Sequence, residues 1–129
     1  TYKSIANKEF TRNWNNIFAD LPNKKLNEIR SFLIIKKFNQ AEEINSYGDI
    51  FPGLIRIKRG KVRCIFESNK NLHLLNSYTE GDVFGAEHIL SDIQEQALVS
   101  STSVNIEILP IDIFLKLIEE FPKLYKKFN

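Results

Sequence analysis

Gly81-Asp82-Val83-Phe84-Gly85-Ala86-Glu87-His88-Ile89-Leu90 is the run on which the fold turns, and Glu95-Gln96-Ala97 follows it a few residues on. A strand-like apolar pattern meets two glycines here and then shifts to a single helical turn. Gly81-Asp82 predicts a tight turn, because glycine reaches positive φ without the steric cost of a Cβ. Gly85 lets the backbone approach a neighbour closely, and the free N–H groups opening the next turn of helix form a cradle for an anion. The run therefore predicts a pocket.

On either side of it the chain reads as sheet. From Ile34 to Leu109 the apolar period is two and turn signals recur about every 8 to 12 residues, the pattern of a sandwich or barrel. The clearest local unit is the hairpin Leu54 to Phe66, turning at Gly60. Ile55 and Ile57 alternate with Arg56 and Lys58, and Val62, Cys64 and Phe66 alternate with Lys61 and Arg63, so one face is buried and the other basic. Leu72, Leu74 and Leu75 resume strand character around His73, and Val104, Ile106 and Ile108 alternate with Asn105 and Glu107.

Helical spacing brackets the sheet region. Phe10, Trp14, Ile17, Phe18 and Leu21 suggest an amphipathic helix over Ile5 to Asn16, stopped by Pro22. Asn23 is placed to cap a second helix bearing Leu26, Ile29, Phe32 and Leu33. After Pro110, Asp112 is placed to cap a helix carrying Ile113, Phe114, Leu117, Ile118 and Phe121, and Pro122 opens a last helical segment over Lys123 to Asn129.

Composition sets the outer limits. The 129 residues, 43% hydrophobic and 26% charged, are enough for one domain with a real core, and no run approaches the roughly 20 apolar residues of a bilayer span. The single cysteine, Cys64, excludes an internal disulfide and fits a reducing compartment, and alternation puts it on the buried face as an inert core residue. Two histidines and one cysteine, widely spaced, make no metal site. A net charge of +2 is too small to argue for nucleic acid. The absence of methionine suggests a piece excised from a longer chain.

The order of elements and turns resembles the cyclic nucleotide-binding domain family over nearly the whole chain. Its signposts stand as Phe38-Asn39-Gln40-Ala41-Glu42-Glu43-Ile44, similar to the family's F-x-x-G-E-x-I, then Gly48-Asp49, Gly60-Lys61-Val62, Gly81-Asp82-Val83-Phe84-Gly85, and Phe114 to Pro122, similar to F-x-x-L-x-x-x-x-P. The resemblance implies a mainly β fold with flanking helices, an antiparallel double-stranded β-helix of jelly-roll or β-roll type. It further implies a phosphate-binding cassette in which a glutamate just after F-G holds the ribose 2′-hydroxyl and an arginine about ten residues on pairs the cyclic phosphate. The ligand-binding positions it points to are Phe84, Gly85, Ala86, Glu87, His88, Gln96 and Ala97.

Two of these depart from the pattern. Ala86 stands at the glutamate position, with Glu87 beside it if the register slips by one, and Gln96 stands where the arginine belongs. A partly dehydrated phosphate wants a charge-assisted, bidentate partner, and glutamine cannot neutralise it. Leaving a buried charge unpaired costs about 2–5 kcal/mol, roughly thirty- to several-thousandfold in affinity. No arginine lies between Lys70 and the carboxyl end, so cAMP or cGMP binding is disfavoured, while a small anionic ligand on backbone donors stays open.

A narrower likeness runs through Ala97 to Val104 and Leu109 to Leu115. These segments resemble the divergent cyclic-nucleotide-binding-like domains at the amino terminus of cyanobacterial bacteriocin- or toxin-exporting ABC transporters. That likeness implies a cytoplasmic domain of an inner-membrane protein.

Other side chains have plainer readings. Glu87 is either a ligand-facing carboxylate or a solvated residue favoured by the helix dipole. His88 reads as a surface or cap histidine. Gln96 and Ser100 either line the pocket or are outward positions of an ordinary strand. Arg56, Lys58, Arg59, Lys61 and Arg63 read as a solvated hairpin face that discourages strand addition, with no aromatic residues interleaved to stack bases.

No H-E-x-x-H, G-x-S-x-G or P-loop is present, so the chain is read as no enzyme, with no catalytic residue. The expectation is one domain over 1–129, with amino-terminal helices in 1–33, the β-roll in 34–110 and carboxyl-terminal helices in 111–129. Its function would be regulatory, with a degenerate cassette, inside an exporter. The rivals are the sensing half of a catabolite-activator-type transcription regulator and a ligand-free docking module whose cavity is filled by Phe84, Leu90 or Tyr78. Expected partners are downstream domains of the same chain and a second copy through the carboxyl-terminal helices, without direct nucleic-acid binding.

Overall fold

A computed structural model of the protein describes residues 2–91 and 97–128. Helices α1 (Tyr2–Asn13) and α2 (Asn23–Phe32) precede strands β1 (Ile34–Phe38), β2 (Glu43–Asn45), β3 (Gly53–Arg59), β4 (Lys61–Ser68), β5 (Asn71–Thr79) and β6 (Val83–Phe84). Then come α3 (Ala86–Leu90), β7 (Ala97–Ser100), β8 (Val104–Pro110), α4 (Ile111–Glu120) and a terminal 3-10 helix, Pro122–Phe128. The strands form two four-stranded sheets, ordered β1-β8-β3-β6 and β2-β7-β4-β5, with antiparallel pairings throughout. This is a mainly antiparallel β architecture with flanking helices, as the two-residue period implied.

Two apolar cores meet at β3. Ile55 and Ile57 face the space between the sheets with Val62, Cys64, Leu98, Val104, Ile106 and Ile108. Leu54, on the opposite face of β3, joins Leu109, the helical residues Phe10, Ile29, Phe114 and Leu117, and Trp14 and Phe18 from the turns after α1. A strand buried on both faces has little room for charge, yet Arg56 sits on the helix-covered side. Its guanidinium pairs with Glu107 across the β3–β8 register, which supplies the opposite charge that burial demands. Arg56 is thus no member of a solvated basic face, whereas Lys58, Arg59, Lys61 and Arg63 are exposed.

The helix boundaries differ from the sequence expectation in two places. The first helix stops at Asn13 because Asn15 and Asn16 both take left-handed backbone angles, φ 55° and 59°, which asparagine tolerates better than most residues. Trp14 and Phe18 are still buried, reached through turns rather than a continued helix. Neither Asn23 nor Asp112 caps its helix. Pro22 and Pro110 occupy those positions, and the Asn23 side-chain oxygen accepts from Asn7 Nδ2 at 3.3 Å instead. Among the described residues no helix is long and apolar enough to cross a membrane, which says nothing of β-barrels.

Candidate functional site

The cassette hangs from β3. Val83 and Phe84 pair with Arg56 and Ile55, and the chain then turns through Gly85 into the five-residue helix α3. Gly85 holds φ at 109°, and a Cβ there would meet the Gly53 carbonyl oxygen at 3.0 Å and the Phe51 ring at 3.3 Å. Gly53 is more tightly enclosed, since a Cβ on it would stand 1.9 Å from the Leu109 carbonyl oxygen. Two glycines back to back therefore let the cassette lie flush on the sheet.

Each site residue can now be placed. Phe84 is buried and its ring lies parallel to Tyr78, centroids 3.8 Å apart and planes 3° apart, inside the roll. Phe84 belongs to the roll core and Tyr78 packs against it, whereas Ala86 and Leu90 turn to the helical core. Glu87 is exposed, and its charge acts on Cys64, Tyr78 and His88. Burial first and that charge second push the Cys64 thiol up to about 11. Tyr78 is pushed up to about 12, chiefly by burial. Ala97 is buried on β7 opposite Ile65. Gln96, the position that should carry the cation, lies outside the described residues.

His88 is not a surface histidine. It is 9% exposed and stacks on Phe51 with centroids 4.3 Å apart, and its Nδ1 is buried without a hydrogen-bond partner. Burial holds its pKa below the usual imidazole range, with Glu87 pulling weakly the other way. A neutral ring stacked on an aromatic neighbour is the form such a place accepts. No motif announced this. Phe51 lies far away in sequence, in the loop before β3, and only the folded chain brings the two rings together.

Ser100 does not line a pocket either. It is fully buried, its hydroxyl accepts the Glu42 N–H at 2.9 Å and donates to the Asn39 carbonyl, and Ala41 N–H donates to the Ser100 carbonyl at 2.8 Å. These bonds pin the corner between β1 and β2, where Ala41 sits at φ 63°.

A cavity of about 430 Å³ lies beside the cassette, on the helical side of the sheet. Val83, Gly85, Ala86 and Glu87 form one wall, and Asn15 and Lys127 stand in the other. Lys127 Nζ donates to the Ile17 carbonyl at 2.9 Å and pairs with Asp20 at 3.2 Å, so its charge is already engaged. Sequence inspection missed Asn15 and Lys127, since neither sits in a motif.

The hairpin arginines do not enter the roll. Arg56 is held by Glu107 on the helix side of β3, and Arg63 is exposed, alternating with buried Val62 and Cys64. Arg30, in α2, is engaged by the Asn7 and Asn27 side chains at 3.2 Å and 3.3 Å.

No family model matches the sequence, and no curated protein matches it. Solved structures do resemble it. The sensor domain of the transcriptional regulator DNR from Pseudomonas aeruginosa superposes with a TM-score of 0.81 at 10% identity, covering 95% of this chain and 85% of that one. The catabolite activator protein of Thermus thermophilus gives 0.66 at 21% identity over 84% of this chain and 52% of its own. The regulatory subunit of a cAMP-independent protein kinase A from Trypanosoma brucei gives 0.63 at 19%, over 88% and 46%. The chain thus spans about half the length of the latter two. The shared feature at these identities is the fold, that of cyclic nucleotide-binding jelly-roll domains.

Proposed function

We propose that the chain is a regulatory, sensor-type module with the cyclic-nucleotide-binding-like fold and a cassette that no longer captures a cyclic phosphate. The observation that carries this reading is the placement of cation and aromatic groups. Arg56 is spent on Glu107, Arg63 faces outward, and the parallel rings of Phe84 and Tyr78 occupy the roll interior behind the cassette. A phosphate entering there would meet Glu87 nearby, a like charge, without a guanidinium among the described residues. The module is non-catalytic in this reading. Contact with a partner, or with a small anion on backbone donors, would act by shifting α4, which packs on β3 and β8.

Isothermal titration with cAMP and cGMP tests this. Binding weaker than about 1 µM, or none, agrees with it, and submicromolar binding of either overturns it.

For the setting, we favour the cytoplasmic amino-terminal part of a bacterial exporter of the bacteriocin or toxin type. The support is the likeness of the Ala97 to Val104 and Leu109 to Leu115 segments. A sensing domain of a catabolite-activator-type regulator is the second reading, favoured by the likeness in fold to the DNR sensor domain. Sequencing the parent gene decides between them: hydrophobic spans with a Walker motif favour the exporter, a helix-turn-helix the regulator.

A further inference from the structure

The cavity of about 430 Å³ beside the cassette is of the size that small molecules occupy. Its apolar lining includes Ile17, Leu54, Val83 and Phe128, and three polar side chains, Asn15, Glu87 and Lys127, share the wall with them. What those three offer a ligand is one-sided. Among the described residues Lys127 is the one cation in the lining, and it is spent on the Asp20 carboxylate and the Ile17 carbonyl. Asn15 Nδ2 donates to the Gly81 carbonyl at 3.4 Å, and the Asn15 side-chain oxygen accepts no bond among the described residues. Glu87, exposed at the rim, enters no hydrogen bond or ion pair among them either.

The side chains of the wall therefore present two acceptors, one of them a full negative charge, and no cation that is free. A carboxylate or phosphate meets repulsion from Glu87, whereas a positive group with several N–H donors finds partners. A bare divalent ion fits less well, because no group of three His, Cys, Asp or Glu side chains able to hold one stands among the described residues. An ammonium carried on a short hydrocarbon chain uses both the charged and the apolar parts of the wall. We propose that this cavity binds a small primary ammonium ion, its head group held by Glu87 and its chain lying against Leu54, Val83 and Phe128. One wall belongs to the cassette, and the other to the turn after α1 and the terminal 3-10 helix, so an occupant would link the three. The inference goes beyond the regulatory reading above and does not rest on it, because the roll interior plays no part in it.

An NMR titration of the isotope-labelled chain with hexylammonium chloride at neutral pH and low salt tests it, with 1-hexanol and hexanoate as neutral and anionic counterparts. Saturable shifts are expected at the amides of residues 15–17, 83–87 and 127–128, with a Kd of about 1 mM, the strength open to so small a molecule. Glu87→Gln is expected to weaken binding by about three- to fivefold. The neutral 1-hexanol should bind the wild type about as weakly as that, and hexanoate more weakly still. Asp20→Asn, which leaves the Lys127 charge uncompensated, is expected to weaken hexylammonium binding by about two- to threefold. Glu87 and Asp20 are both exposed, so the unliganded spectra should show an unchanged fold. The absence of saturable shifts below about 20 mM overturns the inference, as do shifts centred on residues outside the cavity. Equal binding of 1-hexanol, or a Glu87→Gln variant that binds as well as the wild type, overturns it too, since either would mean an apolar hollow without a seat for charge.

Discussion

His88 shows how one side chain can conflict with its sequence context and still make sense in its fold. Adjacent to exposed Glu87 in the short helix α3, it looks like a residue for water, yet it is buried against Phe51 with an unpaired ring nitrogen. The sign of its pH effect follows from its lowered pKa. The unfolded chain takes up a proton near pH 6.5 and the folded chain only at lower pH, so between those values the unfolded state holds more protons. The stability contribution is whole above about pH 6.5 and is lost as pH falls toward the depressed value. Urea midpoints from about pH 8 to pH 5 are therefore expected to fall more steeply for the wild type than for His88→Phe, which keeps the ring stack and has no proton to gain. Parallel curves would refute the assignment.

At the scale of elements, the corner between β1 and β2 is the most informative. The stretch Phe38 to Ile44 was legible through its likeness to F-x-x-G-E-x-I, but its alanine, where that pattern has glycine, carries a strain visible only in the backbone: Ala41 sits at φ 63°. A Cβ in the left-handed region costs about 1 kcal/mol or somewhat more, partly offset by the greater freedom of unfolded glycine. Ala41→Gly is therefore expected to stabilise the protein by about 0.5–1 kcal/mol, read as a higher urea midpoint at unchanged slope. An unchanged or lower midpoint would mean that the hydrogen bonds from Ser100 already relieve the corner.

The same contrast holds for other elements. The hairpin from Leu54 to Phe66 could be read directly because alternation there reports burial. The break after Asn13 could not, since Phe10, Trp14 and Phe18 keep helical spacing through a segment that is not helix. Arg56 looked like its neighbours Lys58 and Lys61 until Glu107, on a strand far away in sequence, was seen to face it.

For the whole molecule, the central fact is that β3 belongs to both cores. Leu54 and Ile57 are each fully buried, yet one meets the helices and the other the roll. A protein whose two cores share a strand should lose both together. Leu54→Ala and Ile57→Ala are each expected to cost about 2–5 kcal/mol, and in both variants the helical and aromatic circular dichroism signals should fall in a single coincident transition. Two separated transitions, with the helices melting apart from the roll, would show that the cores are independent. The site itself was less legible at this scale than the fold. Its aromatic plug, its buried histidine and the neighbouring lysine come from loops and ends that no local pattern connects.

The meeting of Gly53 with Gly85 divides the neighbourhood into positions closed to variation and positions open to it. Any side chain at 53 strikes the backbone of Leu109, and one at 85 crowds the carbonyl of Gly53, so substitution at either threatens the architecture. Glu87, two residues away, points into solvent and can change with little effect on the rest. A lineage carrying this chain could therefore alter what the hollow recognises by small steps at the rim, while the hinge of that hollow stays fixed.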